Sequence, residues 1–151
     1  MAESARPDLS PDMISLLEKE RLVLLGTIDD ETKGPSVNSI SWVHAVSAKK
    51  IRFALDGRSR LLQNIASEPQ VTLTFFANER IYTLSGKASL LAKEADGVPI
   101  RLAIFEVEID TVRDVLFYGA KITQEPTYEK TYNPEAAHKL DSQVFSALKK
   151  A

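Results

Sequence analysis

Apolar and polar positions alternate through most of this chain, and helical spacing is confined to three short stretches. Leu22 to Ile28 reads as a buried strand, and the turn formers of Asp29–Pro35 close a hairpin behind it. From Ser36 to Val46 the alternation continues. Asn38, Ile40, Trp42, His44 and Val46 fall on one face, with Val37, Ser39, Ser41, Val43 and Ala45 on the other. Neither face is purely polar, a pattern that suits a strand lining a cavity. Ile51–Leu55 returns after a turn at Ala48–Lys50. Val71–Ala77 and Ile81–Ala92 form a hairpin about Asn78-Glu79, and Gly86 inside the second strand predicts a bulge. Ile100–Ile109 and Val112–Tyr118 read as two further strands, and Gly119–Tyr132 is irregular.

The helical stretches frame these strands. Ser10-Pro11-Asp12 opens a helix of about residues 11–21, with Met13, Leu16 and Leu17 on its apolar stripe. Leu61–Ala66 is a short helix stopped by Glu68-Pro69. Asn133-Pro134-Glu135 opens a last helix of about 134–149, with Ala137, Leu140, Val144 and Leu148 apolar and Lys149-Lys150 at its negative end. About seven strands joined mostly by tight turns predict a largely antiparallel sheet, and strands of this length usually close into a barrel. The chain is therefore mainly β with flanking helices, a single domain over 1–151.

Composition narrows what such a domain does. The 151 residues include 44% apolar and 26% charged, with a net charge of −2, so there is no broad basic surface for nucleic acid. There is no cysteine, which excludes disulfides, thiolate catalysis and cysteine-held metal. His44 and His138 stand alone, without the spacing of a metal motif, so no metal is expected. No apolar run approaches the roughly 18 residues of a membrane span. The polar start, Met1–Asp8, lacks the apolar stretch of a secretory leader, and a cytoplasmic location is expected.

The densest candidate chemistry is Asp56-Gly57-Arg58-Ser59-Arg60, set between a strand and a helix start. Two guanidinium groups, a hydroxyl and free backbone N–H groups would converge there, a ready place for a phosphate. The alternative is a solvated turn with a Ser cap. The second candidate is Asn38-Ser39-Ile40-Ser41-Trp42, whose small polar side chains leave room for a flat heterocycle. An edge strand with solvated serines is the competing reading.

Taken in order, the polar strand, the Ile51–Leu55 strand, the Arg58-Ser59-Arg60 turn, the helix ending at Glu68-Pro69 and the strand ending in Ser85-Gly86-Lys87-Ala88 resemble the pyridoxamine 5′-phosphate oxidase-like family of FMN-binding split barrels, in particular its small general-stress-protein branch. The resemblance spans roughly residues 16–118. It implies an antiparallel split β-barrel of six or seven strands that pairs as a homodimer, with FMN in grooves between subunits and an oxidoreductase activity. By position, Ser59 and Arg60, with Arg58 beside them, would hold the phosphate. Asn38, Ser39, Ile40 and Ser41 would run along the isoalloxazine ring, Ala54 and Leu55 along the ribityl chain, and Ile81 and Thr83 would meet the flavin from the fifth strand.

The chain also departs from the family pattern. Leu61 stands where true pyridoxamine phosphate oxidases carry Lys, and Ile81 where they carry Gln. Only Arg113 and Lys121 offer basic groups near the substrate-phosphate region. These departures speak against vitamin B6 oxidation and leave flavin binding standing. The resemblance identifies no catalytic residue. It leaves open a non-catalytic flavin-binding stress protein, a split barrel using deazaflavin F420 or haem, and an interaction dimer with no cofactor.

Overall fold

Two turns fix the order of the sheet. Asn78 and Glu79 both adopt positive φ (54° and 65°), as a two-residue hairpin requires, and join β6 (Gln70–Ala77) to β7 (Arg80–Ala92). The longer turn after β2 (Val23–Ile28) closes with Asp29 N–H donating to the Gly34 carbonyl at 2.8 Å, and β3 (Pro35–Ile40) returns antiparallel. In the computed structural model, which describes residues 5–151, the sheet runs β3-β2-β6-β7-β8-β5-β4. Every strand pair is antiparallel. β4 is Val43–Ala45, β5 is Lys50–Asp56 and β8 is Leu102–Asp114, while a two-residue strand, β1 (Ala5–Arg6), adds to β8. Of the polar start, Met1–Ser4 lie outside the described residues.

The curled sheet encloses one core. Val23 and Leu25 of β2, Leu73 and Phe75 of β6, Leu84 of β7, Val107 and Ile109 of β8 and Ile51 and Phe53 of β5 point inward from their strands. The Phe53 and Phe105 rings stack at 5.3 Å. Helix α1 (Pro11–Leu16) plugs one side with Met13, helped by Leu17 just after its end. A second, smaller core lies outside the sheet. There Ala54, Leu102 and Ile104 pack under Val144, Ala147 and Leu148 of helix α3 (Pro134–Lys150). Asn133 caps α3 through its side chain, which accepts from Ala136 N–H at 3.0 Å. Helix α2 (Leu61–Ser67) bridges β5 and β6.

Edge strands β3 and β4 do not pair with each other among the described residues, so the barrel is split, and the chain crosses from one edge to the other through Ser41-Trp42. This corner corrects the expected continuous strand from Ser36 to Val46. Val43 N–H donates back to the Ser41 carbonyl at 3.1 Å, and Ala54 N–H donates to the Trp42 carbonyl at 3.0 Å. Side-chain alternation slips at the corner. Ile40 packs on the inner core, Trp42 on the outer one, and Val43 and Ala45 on the inner one again.

Two other boundaries differ from expectation. The first helix stops at Leu16 instead of about 21, because the next carbonyl, that of Leu17, accepts from Ala45 N–H at 2.9 Å and turns the chain toward β4. The two strands expected over 100–118 are one strand, β8, whose register shifts opposite Ser85/Gly86 and leaves Asp110 unmatched. Gly86 sits at that bulge. A Cβ there would collide with the Glu108 carbonyl and crowd Val107, so only glycine lets the two backbones meet.

Candidate functional site: a cleft at the split of the barrel

β5 carries the chain past the split and ends at Asp56, where the Arg58–Arg60 turn begins. Asp56 organises that turn. Its Oδ1 accepts from Arg58 N–H at 2.8 Å, and its carboxylate takes the Arg58 guanidinium in a forked pair at 3.2 and 3.1 Å. Those bonds hold the Asp56 carboxyl below the usual carboxylate range. Ser59 Oγ accepts from Leu61 N–H at 3.1 Å and so opens α2. Arg60 reaches across to the buried Asp29 at the end of β2, forming an ion pair.

The phosphate cradle expected from the sequence is narrower than its residues implied. Gly57, Arg58, Ser59, Leu61, Leu62 and Gln63 N–H groups already donate within the protein, and Arg60 N–H is left without a partner among the described residues. The gathered donors are therefore mainly the two guanidinium groups. Arg58 and Arg60 side chains are 83% and 71% exposed, and each shares its charge with one carboxylate.

Beside this turn lies an open cleft of about 360 Å³. Ser39, Ile40, Ser41 and Trp42 line one side, Ala54, Leu55 and Asp56 another, and Lys130 and Tyr132 a third. The structure thus brings five of the expected ring and chain residues, Ser39, Ile40, Ser41, Ala54 and Leu55, to one cleft. Asn38 precedes them on β3, exposed and paired in register with Leu25. Arg58, Ser59 and Arg60 follow Asp56 at the end of the cleft. Ile81 and Thr83 are elsewhere. Thr83 pairs with Arg113 on β8, whereas Leu55 pairs with Ala103, ten residues back along that strand, about 30 Å. Both lie on the outer face of β7, where a shallow depression of about 570 Å³ crosses Gly26, Ile28, Val37, Thr72 and Ser85.

Sequence reading missed the third wall. Lys130 Nζ donates to Glu20 Oε2 at 2.8 Å and to Asp141 Oδ1 at 3.2 Å, and stands 5.9 Å over the Trp42 ring. Trp42 Nε1–H donates to Asp141 Oδ1 at 2.8 Å, and Ser41 Oγ–H donates to Glu20 Oε2 at 2.9 Å. Burial pulls the Lys130 ammonium down, but its bonds to the two carboxylates outweigh that and hold its pKa above the usual range. Arg21 ties the same tail through Glu125 at 2.7 Å. These residues come from the loop after α1, the split corner, the tail and α3. No local pattern marks them. The one available signal is the Trp42 indole, which needs an acceptor once it is half-buried.

An antiparallel barrel split at one seam, with a cleft at the split and a turn carrying two cations next to it, defines a small split β-barrel domain. The chain belongs to the pyridoxamine 5′-phosphate oxidase family, whose pattern it matches over residues 9–115. Solved structures share the fold. One, from Lactobacillus delbrueckii and provisionally described as a pyridoxamine 5′-phosphate oxidase, aligns with a TM-score of 0.60 at 15% identity, over 74% of this chain and 98% of its own. General stress protein 26 from Bacillus anthracis aligns with a TM-score of 0.54 at 15% identity, over 68% and 92%. An F420 reductase aligns with a TM-score of 0.53 at 18% identity, over 65% and 93%. No curated protein matches the chain. No helix among the described residues is long and apolar enough to cross a membrane.

Proposed function

We propose that the cleft holds FMN and that the protein is a flavin-dependent oxidoreductase, or a flavin carrier of the same build. One observation carries this reading: the cleft lined by Ser39–Trp42 and Ala54–Asp56 ends at the turn that presents Arg58 and Arg60. The residues present fit the group. The cleft is open, its walls combine the aliphatic and aromatic side chains of Ile40, Leu55, Trp42 and Tyr132 with the Ser39 and Ser41 hydroxyls, and that mixture suits a flat heterocycle with polar edges. The guanidinium groups at its end suit a phosphate monoester. When bound, the flavin supplies hydride or electron chemistry at its ring. The chain's own part is to anchor the phosphate through Arg58 and Arg60 and to orient the ring along Ser39–Trp42. It also keeps water off one side of the ring with Trp42 and Tyr132.

The cofactor residues that one chain leaves apart support a second copy as partner. Ile81 and Thr83 share the outer sheet face with Val37, which is 66% exposed, and with Gly26, Ile28 and Thr72. A homodimer through that face would bury it and carry Ile81 and Thr83 toward the other copy's cleft. The departures at Leu61 and Ile81 argue for a substrate other than pyridoxamine phosphate.

Titration with FMN and with riboflavin, followed by flavin fluorescence, tests the reading. Binding of FMN at or below tens of micromolar is expected, and Arg60→Ala should weaken FMN far more than riboflavin. No FMN binding overturns the proposal, and equal losses for the two ligands remove the phosphate role. NAD(P)H turnover by the loaded protein separates an enzyme from a carrier, and competition with F420 or haem separates the other cofactors.

A further inference from the structure

Ser41 and Lys130 both bond the same oxygen, Glu20 Oε2, and both line the cleft, so they stand within two hydrogen-bond lengths of each other. Their chemistry is opposite. The Ser41 hydroxyl hydrogen is committed to a carboxylate, which has none to give back, so Ser41 presents only acceptor lone pairs to a ligand. The Tyr128 hydroxyl lies beside Glu20 and Ser41 and occupies at most one of those lone pairs. Lys130 is donor-only. Two of its three N–H groups are engaged by Glu20 and Asp141 among the described residues, which leaves one for a ligand. Tyr132, the other tail residue in the cleft, carries a hydroxyl that gives or accepts and so does not discriminate.

Resting on the flavin reading of this cleft, we propose that Ser41 and Lys130 act as a paired acceptor and donor that reads the imide edge of the bound ring, an N–H beside a C=O, and that Lys130 is a specificity-determining residue of the site. Lys130 lies beyond residues 9–115, so the family match assigns it no role. The pair selects heterocycles with a pyrimidine-dione edge, flavins and deazaflavins alike, and rejects macrocycles without one. Glu20 sets the polarity of both members. It takes the Ser41 hydrogen and fixes the Lys130 ammonium, so neither group turns to offer the opposite hydrogen-bond character. A mismatched ligand would leave a polar group in the cleft unpaired, the kind of error that binding sites punish most strongly.

The test compares FMN with N3-methyl-FMN, which lacks the imide N–H, on the unmodified protein and on Ser41→Ala, Lys130→Met and Lys130→Arg. Affinity and the absorption band of the bound flavin are both read. The unmodified protein should prefer FMN by about tenfold, and Ser41→Ala should erase that preference. Lys130→Met should weaken FMN by about tenfold and shift the bound band, and Lys130→Arg should restore most of both. Failure of the unmodified protein to bind FMN overturns the flavin reading and this inference with it. FMN binding with equal affinity for the N3-methyl analogue, or an unmoved affinity and band in Lys130→Met, overturns this inference alone. The analogue comparison needs no variant and decides the matter even where Lys130→Met fails to fold.

Discussion

Asp29 and Arg60 are joined across the end of the barrel, and through them the β2–β3 turn holds the cationic turn in place. Asp29 is buried and uses both oxygens. Oδ1 accepts from Glu31 N–H at 2.9 Å and Thr32 N–H at 3.0 Å, while Oδ2 takes the Arg60 guanidinium. Removing that carboxylate leaves two backbone donors without their acceptor and releases the exposed Arg60 guanidinium to solvent. Asp29→Ala is expected to lower stability by about 1–3 kcal/mol, measured by urea denaturation. Asp29→Asn keeps an acceptor for the turn and gives up the charge, so its loss should be smaller. Equal losses in the two variants would show that the ion pair, not the turn, carries the effect.

Arg58 is forked onto Asp56 at the surface, and a phosphate would compete for the same guanidinium. An exposed pair of this kind is screened by water and holds the guanidinium only weakly. Asp56→Asn should therefore tighten FMN by about two- to fivefold and leave riboflavin unchanged, read by fluorescence titration. A gain shared by both ligands would mean that Asp56 acts on the ring end of the cleft instead of on the phosphate.

The bulge at Gly86 sets where β7 and β8 slip past each other, and no side chain fits between that residue and the Glu108 carbonyl. Gly86→Ala forces the two strands apart or the bulge to move. The expected loss is about 1–3 kcal/mol, seen as a lower thermal midpoint by circular dichroism. An unchanged midpoint would mean that the strands shift there at little cost.

That bulge was legible in the sequence because a glycine inside an otherwise strand-forming run has few other uses. The Asn78-Glu79 hairpin and the start of α3 were legible for the same local reason: the residues that make a turn or a cap announce it. Ser41-Trp42 was not. The alternation runs unbroken through the corner, and only the change of pairing partner, from β2 before it to β5 after it, bends the chain there. The site divides along the same line. Arg58, Ser59 and Arg60 form one contiguous turn and are visible as a cluster of charge. Glu20 and Lys130 converge from positions 110 residues apart, with Asp141 a further 11 along, so only the folded chain assembles them. The role of Asp29 was hidden in the same way: its type marks a turn, but nothing local reveals that its second oxygen faces Arg60.

His44 connects stability to pH. It sits in β4 opposite Arg52, is nine-tenths buried, and its Nδ1 has no hydrogen-bond partner. Desolvation pushes its pKa below the ordinary value of 6.5; the Glu18 backbone carbonyl and the Glu18 charge oppose this, and the nearby Lys149 and Arg52 charges add to it. A histidine held neutral in the folded state stabilises the fold fully above the unfolded pKa. As pH falls below about 6.5, the unfolded chain takes up the proton first, and stability drops until the folded pKa is reached. Denaturant midpoints should therefore fall between pH 7 and pH 5, and His44→Phe should flatten that decline. The carboxylates held low by arginines, Asp56 by Arg58 and Asp114 by Arg80, lose their contribution only as pH falls below about 4, outside this window. A His44→Phe variant that still weakens between pH 7 and pH 5 as the unmodified protein does would assign the titration to another group.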